Sequence, residues 1–265
     1  MKQLLIVISF INIVTACNDK HRLFEVSGKI TNTSAKKVYL QYLVWGAAQP
    51  IVVDSMSLQK DGNFELSTAY GKEESMYELV FDTATSLLLI NDNEKVFVNI
   101  DRNNFKKYII NGSTASSNLH EFLNNYSMVY PTMLATNQRF DTIANEKNIG
   151  DSIKTVVRLE KDRQLQKINT IITNAFKNTN SPALQYYLIA KAFATAPLQQ
   201  IQQLNTVAIG QHPNHSGLAF LKSVIAKELA KETIKQLALK RQADSIKIKN
   251  DSLNKRIIDT TKNKY

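Results

Sequence analysis

An α+β protein, with an N-terminal antiparallel β-sandwich followed by an α-helical region ending in a long basic helix, is expected from three features of this 265-residue chain. Short β-branched and aromatic runs between polar turns fill residues 23–113, a pattern of strands with one buried face. Beyond Ser113 the apolar residues change to a helical period. Basic residues then collect toward the C-terminus. Lys222 to Lys264 hold 12 Lys and Arg against 5 Asp and Glu, an excess of +7 within a formal net charge of +10.

The strand runs, in order, are LFEVSGKI, KKVYLQYL, IVVDSMSL, GNFELSTA, SMYELVFD, SLLLIND, EKVFVNID and KKYIING. Alternation is plain in Phe24, Val26, Gly28 and Ile30, and again in Val96, Val98 and Ile100, because successive strand side chains face opposite sides. Lys60-Asp61-Gly62-Asn63 marks a hairpin, since glycine accepts the positive φ of a tight turn. Seven or eight strands at spacings of about 8 to 14 residues suit an antiparallel sandwich or barrel, and the sandwich is preferred.

Leu119, Phe122, Leu123, Tyr126 and Val129 predict a first helix, capped by Asn118 or Ser117 and disrupted at Pro131. A second is expected from about Asp151 to Lys177, with Ile153, Val156, Val157, Leu165, Ile168, Ile171, Ile172 and Phe176 as its apolar stripe. A third starts at Ser181-Pro182: serine caps, and proline is tolerated in the first turn. Pro197 ends it or begins the next helix, Gln199 to Ile209, with Gly210 to Asn214 as a loop. A long helix proceeds from about His215 through Leu218, Leu221, Ile225 and Leu229. Beyond Leu239 it becomes strongly charged, with Ile246, Leu253 and Ile257 as a sparse stripe, and this tail is expected to be a projecting helix or partly disordered.

The other end of the chain predicts location. Lys2 precedes a short hydrophobic run, Leu4 to Val14, and Thr15 and Ala16 stand before Cys17, the only cysteine. This is the layout of a secretory signal, shorter than the roughly 20 apolar residues of a spanning helix. Val14-Thr15-Ala16-Cys17 resembles the bacterial lipobox, in which the cysteine sulfur is diacylated and cleavage leaves it as the new N-terminus. The resemblance implies lipidation of Cys17 and a membrane partner through that anchor. Two or three acyl chains, at about 0.8 kcal/mol per buried methylene, hold stably where a single chain is marginal. An acylated Cys17 leaves no thiol, so disulfides, thiol chemistry and cysteine-type zinc sites are excluded. A hydrophobic content of 43% with only 8 Gly and 5 Pro suits one or two folded domains without long linkers.

Phe24-x-Val26-x-Gly28-x-Ile30, Val52-Val53-Asp54-Ser55, Asp61-Gly62-Asn63-Phe64, Tyr77-x-Leu79 and Asn111-Gly112-Ser113 with Asn118 and Phe122 form a second, larger pattern. It resembles the N-terminal domain of unknown function found before thioredoxin-like, AhpC/TSA-type domains in bacterial envelope lipoproteins. The likeness covers roughly residues 23 to 125, and the following helices are similar to that family's helical linker. It implies a cell-envelope location and this fold. It implies no catalytic residue, because the redox work of the relatives rests on a Cys-x-x-Cys pair in a domain that has no counterpart here.

Other candidate residues receive bland readings. Asp54-Ser55 lacks a nucleophile elbow or a nearby partner histidine and is assigned to a turn or strand end. His212 and His215 are read as loop histidines, because Pro213 prevents a regular helical display of metal ligands. His21 and His120 stand alone. Glu73-Glu74 is assigned to a solvated hairpin loop, and Trp45 to packing over the sandwich end. Phosphate-cradling glycine motifs are absent. No catalytic, cofactor-binding or metal site is expected, and no cofactor.

The expected organisation is a lipoprotein signal peptide (1–16), a lipidated linker (17–22), a β-sandwich domain (23–113), a helical domain (114–240) and a basic tail (241–265). The expected role is a membrane-anchored envelope lipoprotein that binds or scaffolds without catalysis. The alternatives are a hydrolase whose site the spacing conceals, or an accessory partner of a separate thioredoxin-like protein. The basic tail suits anionic lipid headgroups, another anionic envelope polymer or a protein partner. Nucleic acid is not expected, since the tail lacks interleaved aromatics.

Overall fold

Alternation in the first runs builds the first layers. In the computed structural model, which describes residues 22–82 and 85–262, with side chains to residue 248, all the strands precede the α-helices, and a short 3-10 helix (Arg102–Lys107) lies before the last strand. Cys17, the signal run and His21 lie outside the described residues. The strands are β1 (Leu23–Thr31), β2 (Lys37–Leu43), β3 (Ile51–Ser57), β4 (Asn63–Ala69), β5 (Met76–Phe81), β6 (Thr85–Ile90), β7 (Lys95–Asp101) and β8 (Ile109–Asn111). They form two four-stranded sheets, ordered β4-β1-β7-β8 and β3-β2-β5-β6, around a shared core that includes Phe24, Leu40, Leu79, Phe81 and Val98.

The expectation of a wholly antiparallel sandwich is corrected at one pairing. β1 and β7 run parallel, from Glu25↔Lys95 to Thr31↔Asp101. The short turn 91–94 delivers the chain to the end of the sandwich where β1 begins, and the Glu25 amide donates to the Glu94 carbonyl there at 2.7 Å. β7 therefore leaves that end in the direction β1 takes.

Two glycines permit close approaches. Gly28 faces inward on β1, where a Cβ would lie 2.1 Å from the Val98 carbonyl oxygen of β7. Gly62 holds φ at +81°, and a Cβ there would meet the Ile30 carbonyl oxygen at 1.9 Å. Gly62→Ala is thus expected to cost more than the about 1–2 kcal/mol of a left-handed backbone alone. Urea unfolding measures this, and an unchanged midpoint would show that the turn rearranges freely.

β5 and β6 are apolar on both faces for a structural reason. Leu87 and Leu89 enter the sandwich core, whereas Met76, Leu88 and Ile90 face the helices. The run SLLLI is therefore continuous rather than alternating, as in a sheet covered on both sides.

The helices are α1 (Thr114–Asn145), α2 (Asp151–Lys177), α3 (Pro182–Ala192), α4 (Leu198–Gln211) and α5 (Ser216–Lys262). Two expectations for α1 are corrected. Its cap is Ser113, whose hydroxyl accepts from the Ser116 amide at 2.9 Å, and Pro131 lies inside the helix without ending it. Proline removes one backbone bond, but apolar packing against α2 carries the helix through it. α4 also extends through Gly210 and Gln211, expected as loop. α3 begins at the Ser181 cap with Pro182 in its first turn, and α5 continues unbroken past Lys240 and Arg241. The second core joins all five helices to Met76 and Ile90 of the sandwich.

Candidate functional site

Three helix N-termini converge on one end of the sandwich, and each meets a carboxylate from a sandwich loop. Asp92 accepts from the Ser113 hydroxyl and from the Ala115 amide (2.9 Å) at the start of α1. Glu74 accepts from the Ser181 hydroxyl and the Ala183 amide (3.3 Å) at the start of α3. Glu73 accepts from the Ser216 amide (2.8 Å) and hydroxyl at the start of α5. Helix N-termini carry unpaired amides and a positive dipole end, so negative charge there is favourable. The sequence reading of Glu73-Glu74 as a solvated loop is overturned.

His215 completes this junction. Its Nε2 donates to the Glu74 carbonyl at 2.8 Å, and its Nδ1 accepts from the Leu218 amide at 3.3 Å, so the ring itself caps α5. Both nitrogens are engaged, and the side chain is buried. Trp45 packs against Tyr186 with ring centroids 4.3 Å apart and against His215 at 5.3 Å, and its indole donates to Glu73. The tryptophan thus joins the sandwich end to the helices.

The two glutamates respond to burial differently. Burial opposes the charge on Glu73, but the bonds from Ser216, with help from His215 and Trp45, outweigh it and hold the carboxyl below its usual range. Glu74 is pushed up by burial, which exceeds the lowering effect of its bonds from Ser181 and Ala183.

The remaining candidates are dispersed. Asp54 lies inside β3, not at a strand end; its carboxylate accepts from the Ser67 amide of β4 at 2.7 Å and links the edges of the two sheets. His120 sits 3.8 Å from the Tyr108 ring and contacts Asn124, and burial lowers its pKa. His212 ends α4, and burial lowers its pKa also. Among the described residues no group of three or more His, Cys, Asp and Glu is placed to hold a metal ion.

A groove of about 400 Å³ opens between α1 and α2, with Leu184 of α3 also lining it. Asn118, Asn125, Asn174 and Asn178 line it with Glu121, over a floor that includes Phe122, Val129 and Ile171. No sequence signal marked it, since it forms only when two distant helices pack. Carboxamides offer paired donors and acceptors without titrating, so this lining suits recognition of polar groups rather than proton transfer.

α5 contributes a different surface. Leu218, Leu221 and Ile225 are buried in the helical core, but every side chain described from Lys231 to Ile248 is exposed. Among the described residues no helix is long and apolar enough to cross a membrane.

Residues 24–119 match the family model of a domain of unknown function, DUF4369. The match spans the sandwich and the first turns of α1, including the Asp92, Ser113 and Ser116 network. Comparison with curated proteins and with solved structures gave no match.

Proposed function

We propose that this chain is an envelope lipoprotein, anchored to a bacterial membrane through Cys17, which binds or scaffolds a partner without catalysing a reaction. The observation that carries the binding role is the carboxamide-lined groove between α1 and α2, where Glu121 is the single titratable lining group. The unusual carboxylates and His215 are occupied elsewhere in holding helix N-termini. Envelope location draws support from the lipobox-like Val14-Thr15-Ala16-Cys17 and from the likeness of the sandwich to modules of envelope lipoproteins. The absence of any Cys-x-x-Cys speaks against thiol–disulfide exchange.

Intact mass of the membrane-extracted protein tests the anchor. The expected mass begins at Cys17 and includes two or three acyl chains, whereas Cys17→Ala yields neither acylation nor cleavage at that site. An unmodified Cys17 in the wild type would refute the anchor. The groove is tested by a photo-crosslinking residue at Asn125 or Asn174 in cells. A discrete adduct from both positions, missing when the same residue replaces exposed Glu146, is expected; identical patterns from all three would defeat the groove as the binding site.

A further inference from the structure

The groove between α1 and α2 carries its carboxamides in two rows. Asn118 and Asn125 stand on α1 about 10.5 Å apart along the helix, and Asn174 and Asn178 stand on α2 about 6 Å apart. Among the described residues none of these four side chains forms a hydrogen bond within the protein. The carboxamides of Asn124 and Asn169, which do not line the groove, are by contrast bonded to His120 and Thr195. The short loop 146–150 sets α1 and α2 antiparallel, so the groove has two unlike ends. Asn118, Glu121 and Asn178 lie at one, and Met128 and Val129 of α1 with Ile171 of α2 lie toward the other.

We infer that the groove holds an extended peptide segment, bonded through its backbone and carrying a Lys or Arg about three residues from an aliphatic side chain. This deepens, and rests on, the reading of the groove as the binding site. A carboxamide offers a donor and an acceptor together, the complement of a peptide unit. An extended chain leaves those groups open and rises about 3.3 Å per residue, so residues two and three apart lie about 6.6 and 10 Å from each other. The two asparagine rows have nearly these spacings. From Asn118 to Val129 the groove follows about 16.5 Å of helix, the length of about five extended residues.

The unlike ends set the side chains. Glu121 is the one charged lining group, so the cation belongs beside it. Met128, 72% exposed, stands about 10.5 Å further along α1 and offers apolar surface together with Val129 and Ile171. About three extended residues cover that interval. A helix, whether from a partner or from a second copy, is the poorer occupant, because its backbone groups are already bonded to one another. A glycan is poorer also. Sugar rings pack on open aromatic faces, and Phe122, the single aromatic lining residue, is 2% exposed in the floor.

The test measures fluorescence anisotropy of labelled, end-blocked short peptides on the full protein extracted in detergent. Each peptide carries one Lys and one Leu three positions apart, in either order, among alanines and serines. The expected result is saturable binding of one order, weakened roughly tenfold by N-methylation of the central backbone amides and by Asn125→Ala with Asn174→Ala. Glu121→Gln weakens the Lys peptide about fivefold and leaves its norleucine analogue unchanged. These positions are at the surface, and an unchanged thermal midpoint confirms that each variant folds. Equal affinity for the N-methylated peptide would overturn the inference, as would equal losses of the Lys and norleucine peptides in Glu121→Gln. Binding of chito-oligosaccharides with no peptide bound would replace it with a glycan site. Crosslinks from Asn125 and Asn174 in cells with no peptide bound overturn the peptide and spare the groove, whereas the loss of both removes the groove reading as well.

Discussion

Ile90→Ala is expected to lower the stability of the whole chain by about 2–5 kcal/mol, the range for truncating a buried aliphatic residue. Ile90 is fully buried, and although it belongs to β6 it packs in the cluster that also holds Leu119, Leu184 and Leu218. Its backbone is bound to the same neighbours: the amide donates to Ser116 Oγ at 2.8 Å and the carbonyl accepts from Ser116 Oγ at 3.2 Å. The cavity therefore opens in a core common to sandwich and helices. Far-UV ellipticity, which reports the helices, and the fluorescence of Trp45, which reports the junction, should lose their native values together at a lower denaturant concentration. Separate transitions in this variant, with the helical signal unmoved, would show that the helices fold without the sandwich.

Glu74→Ala should cost about 1–3 kcal/mol, because it leaves the Ser181 hydroxyl and the Ala183 amide without their acceptor at a partly buried helix start. Glu74→Gln should cost much less, since its side-chain oxygen can accept the same bonds and burial already disfavours the charged form. The pH dependence follows from the direction of each shift. Glu74 has a folded pKa above its unfolded value, so its contribution is fully present below about 4.5 and declines as pH rises through the folded value. Glu73 is the opposite case: its contribution is present above about 4.5 and is lost as pH falls through its depressed folded value. Thermal denaturation of Glu74→Gln across mildly acidic pH should accordingly lack the decline that Glu74 gives the wild type. Equal losses for the alanine and glutamine variants at neutral pH would mean that the charge itself holds α3.

The strands were legible because half-buried strands write their pairing faces into the order of residues. Phe24, Val26, Gly28 and Ile30 announce β1; Asp61-Gly62 announces a turn, but not the hairpin expected there, because the β3 and β4 it joins belong to different sheets. Direction was not legible in the same way, since the parallel partner of β1 is fixed by where the turn 91–94 releases β7. Pro131 misled because the rule against proline in helices concerns local bonds, while α1 is held by α2. Glu73, Glu74 and Asp92 gave no signal as caps, because the amides they receive are more than 20 residues away along the chain, and for Glu73 and Glu74 more than 100. The tail beyond Leu239 was open to two readings, a projecting helix or a partly disordered segment, and α5 runs on as a helix to Lys262.

The placement of β1 has a mechanical consequence. β1 is an inner strand, bonded along one edge to β4 and along the other to β7. A pull on the chain from its N-terminal side, directed along the strand, loads both ladders in shear, so many backbone bonds resist at once instead of opening in succession. Were the chain held by its first residues, as the proposed anchor requires, drag on its body would load β1 along this direction.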